Sequence, residues 1–177
     1  MSDEVELIGG VEKRDLRIVP YDPDWPRRFT VELDRLRAAL GARALRIDHV
    51  GSTSVAGLCA KPIIDIDVSV QDVEDEAAYL PDLESAGYHL RVRSPGHRMV
   101  RSAALDVHVH LCEFNSDWEK RHLLFRDWLR AHPEDRDLYA RTKEDLARED
   151  WPDMNAYADA KSDVIAAILA RATATSN

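Results

Sequence analysis

The sequence predicts an α/β protein of the α+β type, with a mixed β-sheet covered mainly on one face and a helical C-terminal part. Three observations carry that prediction. Strand-like alternation is clearest at residues 62–70 and 105–112, one or two helical segments are interposed among the strands, and helical periodicity dominates residues 115–177. With 177 residues and 45% hydrophobic content, the chain can bury one substantial core, so a single domain over residues 1–177 is expected.

The first 13 residues are expected to be flexible, and residues 16–19 to form a short strand. The run YDPDWP then looks like a turn that launches a helix with proline near its first position. Phe29, Leu33, Leu36 and Leu40 follow at helical spacing until Gly41 offers a stop. Residues 45–50 suggest a strand, the small-residue loop GSTSVAGLCA follows, and residues 62–70 form a further strand. Ile64, Ile66, Val68 and Val70 share one face of that strand, so Asp65 and Asp67 share the other.

A helix is expected over residues 73–85, ended by Gly87, before a hairpin of strands at 88–92 and 98–103 joined through Ser94-Pro95-Gly96. In residues 105–112, Leu105, Val107, Val109 and Leu111 face one way, and Asp106, His108 and His110 the other. Three helices complete the chain, at 118–131, 133–149 and 153–172. The run Glu119, Lys120, Arg121, Arg126 and Asp127 suits an exposed helix face. Trp25, Trp118, Trp128 and Trp151 are read as packing residues. Arg91, Arg93, Arg98 and Arg101 are read as an ordinary solvated strand pair, with triphosphate contact as the alternative.

Composition narrows the classes of function. A formal charge of −9 disfavours nucleic acid as a partner, because that binding depends on clustered Lys and Arg neutralising phosphates. The start MSDEVELIGG is acidic and polar, and no stretch approaches the roughly 20 apolar residues of a membrane span, so a cytoplasmic protein is expected. Cys59 and Cys112 lack CxxC spacing and are assigned no chemistry.

Two carboxylates at alternate strand positions repel each other unless a cation or a shared proton relieves them, which makes a divalent metal the economical reading of Asp65 and Asp67. Upstream, Gly51-Ser52-Thr53-Ser54 forms a small-residue turn whose N–H groups and hydroxyls can approach phosphate oxygens. Together they make a constellation in which phosphates rest on the loop while metal bridges them to the carboxylates. Lys61, at the mouth of the aspartate strand, could offset triphosphate charge. His49, just before the loop, could orient it, and either residue has an ordinary structural alternative.

This constellation resembles the nucleotidyltransferase superfamily, and the string DHVGSTSVAGLCAKPIIDIDVSV from Asp48 to Val70 is similar to the GrpB family within it. The resemblance extends through VPYDPDWPRRF, HVHLCE, FRDWLRAHPE and YADAKSDVI. It implies a nucleotidyltransferase-like fold, with Gly51 and Ser52 at the phosphate-loop positions and Asp65 and Asp67 as metal-binding carboxylates. Superfamily members commonly carry a third carboxylate on a later strand. Here that strand offers Asp106, His108 and His110, so either Asp106 is the third metal ligand, displaced along the strand, or the histidines replace it as base or ligands. Magnesium is the expected ion, with manganese or another transition metal admitted by the histidines. Arg101, and Lys161 within YADAKSD, are further candidate cleft contacts.

The reaction implied is transfer of a nucleotidyl group from a nucleoside triphosphate to a small-molecule acceptor. A non-catalytic nucleotide- or metabolite-binding module is the alternative, as is a different nucleotide-assisted reaction such as condensation.

Overall fold

The computed structural model describes residues 5–175. Six strands, β1 (Glu6–Leu7), β2 (Arg46–Val50), β3 (Ile64–Val70), β4 (Tyr88–Ser94), β5 (His97–Ser102) and β6 (Val107–Glu113), form one mixed sheet in the order β1-β4-β5-β6-β3-β2. β3 and β6 are parallel, whereas every other neighbouring pair is antiparallel. Among the described residues the six α-helices are α1 (Trp25–Leu40), α2 (Leu80–Ser85), α3 (Asp117–Ala131), α4 (Pro133–Leu146), α5 (Met154–Ala160) and α6 (Ser162–Thr175).

The alternation in β3 and β6 decides which face is buried. Ile64, Ile66 and Val68 pack with Val107, Val109 and Leu111 against Trp25, Leu36 and Leu40 of α1 and Leu83 of α2. Pro26 fits the first turn of α1, where a missing N–H costs nothing, and Gly41 closes the helix at φ +55°. The opposite sheet face carries Asp65, Asp67, His108 and His110. The C-terminal helices hold a second apolar cluster of Val55, Leu58, Leu129, Tyr139 and Ile168, which ties them to the loop after β2.

Three expectations about strands and helices need correction. Residues 16–19 form no strand; Val19 makes only an isolated bridge to Ala60. The segment 73–85 is split into a 3-10 turn, Glu76–Ala78, and the short α2, whose first turn contains Pro81. Pro81 has no N–H to extend a helix arriving from upstream. The last helix breaks at Lys161, which caps α5 before α6 begins.

The leading segment makes contacts with the sheet. Glu6 and Leu7 pair with β4, and the buried guanidinium of Arg91 donates to the carbonyls of Ile8 and Gly10. Residues 1–4 of that segment lie outside the described residues. The arginines of β4 and β5 are therefore paired and partly buried. Arg98, 4% exposed, pairs with Glu74 and Glu76, each at 2.5 Å, and Arg101 pairs with Glu12 at 2.7 and 2.8 Å.

Of the charged run of α3, Lys120, Arg121 and Asp127 are exposed as expected, whereas Glu119 and Arg126 turn inward. Glu119, 2% exposed, accepts from Ser69 Oγ and the Asn115 N–H, while Arg126 donates to the His49 carbonyl at 3.1 Å. No helix among the described residues is long and apolar enough to cross a membrane.

Candidate active site

The site begins where β2 ends. Gly51 adopts φ +67° and ψ −173°, a conformation open almost only to glycine, and starts the 3-10 turn Ser52–Ser54. β2 and β3 are antiparallel with Val50 opposite Asp65, so this turn lies against the Asp65 side chain. A Cβ on Gly51 would stand 2.7 Å from Asp65 Oδ2. Inside the turn, Ser54 Oγ donates to the Gly51 carbonyl at 2.5 Å, and Thr53 Oγ1 lies 2.9 Å from His49 Nε2. Both hydroxyls are thus committed to holding the loop. His49 is buried and stacked on Phe29, an orienting residue for the turn.

Register brings the histidine strand alongside. His108 is opposite Asp65 and His110 opposite Asp67 in the parallel β3–β6 pair. His110 Nε2 lies 3.4 Å and His108 Nδ1 3.7 Å from Asp65 Oδ1. Behind His110, Nδ1 is 3.0 Å from His97 Nε2, and Trp118 stacks on His97 with centroids 3.8 Å apart. Asp67 has a different neighbour. It is 1% exposed, and its two oxygens lie 3.0 and 2.9 Å from His122 Nδ1 on α3.

The C-terminal helices supply the remaining wall. A cavity of 150 Å³ is lined by Gly51, Ser52, Asp65 and His108 from the sheet side, and by Phe125, Tyr139, Lys143, Tyr157 and Lys161 from the helices. Lys61 also lines it. Lys143 donates to Ser52 Oγ at 2.8 Å and to the Cys59 carbonyl. Lys61 and Lys161 lie 5.6 and 4.6 Å from the centroid of the Tyr157 ring. Two buried polar atoms in this wall, His108 Nε2 and the Tyr157 hydroxyl, have no hydrogen-bond partner. Such atoms are costly to leave unpaired, so a polar ligand in the cavity would relieve both.

The electrostatics follow from this crowding. Burial works to raise the Asp65 carboxyl, but the His110 hydrogen bond, the charges that His108 and His110 carry at the low pH where Asp65 titrates, and the Lys61 charge outweigh it and hold the group at about 2. Burial pulls His108 and His49 down to about 4, and both imidazoles are neutral near pH 7. For His110, burial is outweighed by the Asp65 hydrogen bond and by the charges of Asp65 and Asp67, with a net upward shift. Burial, with the charges of Lys161 and Lys61, lowers Lys143 to about 7; burial and Lys61 lower Lys161 to about 8.

Among the residues expected from sequence, Gly51, Ser52, Thr53, Lys61, Asp65, His108 and Lys161 line one cleft, with His110 and Asp67 adjoining. Asp106 does not join them. It precedes β6 next to Leu105 at φ +61°, and its carboxylate is taken by Arg28 at 2.9 Å and Ser102 Oγ at 2.8 Å. Arg101 is committed to Glu12 and lines a separate cavity. Lys143, His122, His97, Tyr139 and Trp118 had no role in the sequence-based site. Lys143 sits in the charged run RTKEDL, where nothing in one dimension separates it from a solvated lysine.

Asp65 and Asp67 are hard oxygen donors side by side, which suits a divalent ion of the magnesium type. Among the described residues, no group of three His, Cys, Asp or Glu side chains is placed to hold a metal ion. The pair therefore fits such an ion only jointly with ligand oxygens, and only when His122 releases Asp67.

A model of the family described as GrpB protein matches residues 15–171 of this chain. The chain belongs to the GrpB family. Among its GrpB relatives, a UPF0157 protein of Streptomyces coelicolor is 50% identical over 170 residues, covering 96% of this chain and 91% of that one. Another UPF0157 protein, from Halalkalibacterium halodurans, is 48% identical over 163 residues, covering 90% and 84%. The crystal structure of a conserved GrpB protein from Enterococcus faecalis superposes with a TM-score of 0.78 at 32% identity, covering 88% of this chain and 96% of that one. The mixed sheet with its helical C-terminal part is thus the GrpB fold.

Proposed function

We propose that this GrpB protein is a nucleotidyltransferase that moves a nucleotidyl group from a nucleoside triphosphate to a small-molecule acceptor. The observation that carries this reading is the contact between the Gly51-Ser52 turn and Asp65, in a cleft that also presents Lys61, Lys143 and Lys161. One carboxylate beside a glycine turn and three lysines matches a polyphosphate better than a neutral metabolite.

In this reading Ser52, oriented by Lys143, and the backbone at Gly51 seat the phosphates, while the lysines balance their charge. Asp65 and Asp67 would hold a divalent ion, magnesium or manganese, which would neutralise charge at the reacting phosphorus. His108, a neutral imidazole with a free Nε2, accepts the acceptor's proton. The acceptor oxygen or nitrogen bonds to the α-phosphorus as the bond to pyrophosphate breaks, and pyrophosphate leaves with the displaced oxygen. His110, fixed between Asp65 and His97, positions the carboxylate.

One observation favours a second reading, a non-catalytic nucleotide-binding module: Asp67 is buried against His122, and Asp106, the acid expected to complete the pair, is held by Arg28 instead. Turnover separates the two. Purified protein incubated with nucleoside triphosphates, magnesium or manganese and a metabolite panel should release pyrophosphate and yield a product heavier by one nucleotidyl group in mass spectrometry. Nucleotide binding with neither outcome across the panel would favour the second reading.

A further inference from the structure

We propose that a second cavity, beside the first, is the acceptor pocket, and that it takes a small amphiphilic anion with an apolar body and one carboxylate or phosphate group. Its role as acceptor pocket rests on the nucleotidyltransferase reading; its existence and ligand class rest on the geometry that follows.

The cavity encloses 380 Å³, more than twice the 150 Å³ of the cleft at Asp65, and the two share Lys61, Ile63 and His108 as a common wall. Reacting groups must approach to roughly 3–3.5 Å, so an acceptor seated here must reach past His108 with its reacting group into the cleft at Asp65. His108 is suited to that boundary. Its Nδ1 faces Asp65 at 3.7 Å, and its buried Nε2 has no partner. An unpartnered polar atom on the wall between two cavities marks a place where a ligand group fits.

The chemistry of the lining identifies the ligand. Val92, Met99, Leu105 and Met154 supply an apolar surface, and the methionines adapt to varied shapes. Opposite charges in the wall are already matched in part: Glu12 is held by Arg101 at 2.7 and 2.8 Å, and Asp106 is held by Arg28 at 2.9 Å. Arg91 is spent on the carbonyls of Ile8 and Gly10.

Three cations then remain available. Arg14 makes a 3.4 Å contact to the Leu105 carbonyl and acts on Glu12 through its charge, Arg17 makes no hydrogen bond or ion pair among the described residues, and Lys61 lies over the Tyr157 ring and acts on Asp65 through its charge, without a hydrogen-bonded ion pair. Against them, among the described residues, stands one lining carboxylate without a hydrogen bond or ion pair, Asp15, which is exposed like Arg17. The surplus is cationic, and two guanidinium groups are well shaped for a carboxylate or phosphate.

The test uses the full chain and three ligands of one shape: 4-phenylbutyrate, 4-phenylbutyl phosphate and the uncharged 4-phenylbutyramide, titrated by calorimetry. The carboxylate or the phosphate should bind at least tenfold more tightly than the amide, and whichever is tighter gives the preferred anion. That preference should disappear in Arg14→Gln with Arg17→Gln, two side chains outside the packed core. Met99→Trp, which fills the cavity, should abolish binding of all three in protein whose thermal unfolding remains cooperative. Equal affinity for acid, phosphate and amide, or binding unaffected by Met99→Trp, would overturn the pocket. A parallel titration with a nonhydrolysable nucleoside triphosphate tests the other cleft, so a failure of the nucleotide reading is seen separately.

Discussion

Gly51 and Asp65 touch: a Cβ on the glycine would stand 2.7 Å from Oδ2 and 3.0 Å from Cβ of the aspartate. Backbone conformation excludes a side chain there as well, since φ +67° with ψ −173° is a glycine region. Gly51→Ala should therefore cost about 1–3 kcal/mol in denaturant unfolding from backbone strain alone. It should also displace Asp65 and weaken nucleotide binding. Unchanged stability would mean that the turn relaxes away from the aspartate at no cost.

Affinity for a polyphosphate should fall as pH rises. Lys143 and Lys161 have their values lowered to about 7 and about 8, so in the free protein their charges are present below those values and lost above them. A bound polyanion favours the protonated amines and must recruit those protons at higher pH, at up to about tenfold in Kd per pH unit for each amine. His49 and His108, lowered to about 4, stay neutral throughout. Titrations of a nonhydrolysable triphosphate from pH 6.5 to 9 should show the decline, and Lys161→Met should flatten it.

His122→Ala should destabilise the protein by about 1–3 kcal/mol, because the buried Asp67 carboxylate loses the group that both its oxygens contact. The double variant with Asp67→Asn should cost less than the sum of the two single changes, by denaturant melts in a double-mutant cycle. Additive losses would show that the pair does not interact.

Arg98→Met should destabilise by about 1–3 kcal/mol, since Glu74 and Glu76 lose a shared, buried partner and the Ser94 carbonyl loses a donor at 2.7 Å. Raising salt should leave most of that difference in place, because the guanidinium is 5% exposed and weakly screened. A surface arginine would show almost none.

The sheet strands nearest the site were legible because a half-buried strand writes its faces into alternate residues. Ile64, Ile66 and Val68 against Asp65 and Asp67 gave β3, and Val107, Val109 and Leu111 against His108 and His110 gave β6. Residues that act across long sequence separations left no such mark. Lys143 reaches Ser52, and His122 reaches Asp67, from helices on which charged neighbours make them look like solvated side chains. Glu119 and Arg126 were read as solvated for the same reason, although both are turned toward partners on β2 and β3. Asp106 shared the parity of His108 and His110, but parity predicts a face only inside a strand, and Leu105 at φ +61° breaks the pattern before β6 begins.

The central claim is tested most directly by calorimetric titration of a nonhydrolysable nucleoside triphosphate, with and without magnesium, into wild type and Asp65→Asn. The site geometry predicts magnesium-dependent binding to wild type and at least a tenfold loss in the variant, with its fold retained by circular dichroism. Equal, magnesium-independent binding to both proteins would contradict it.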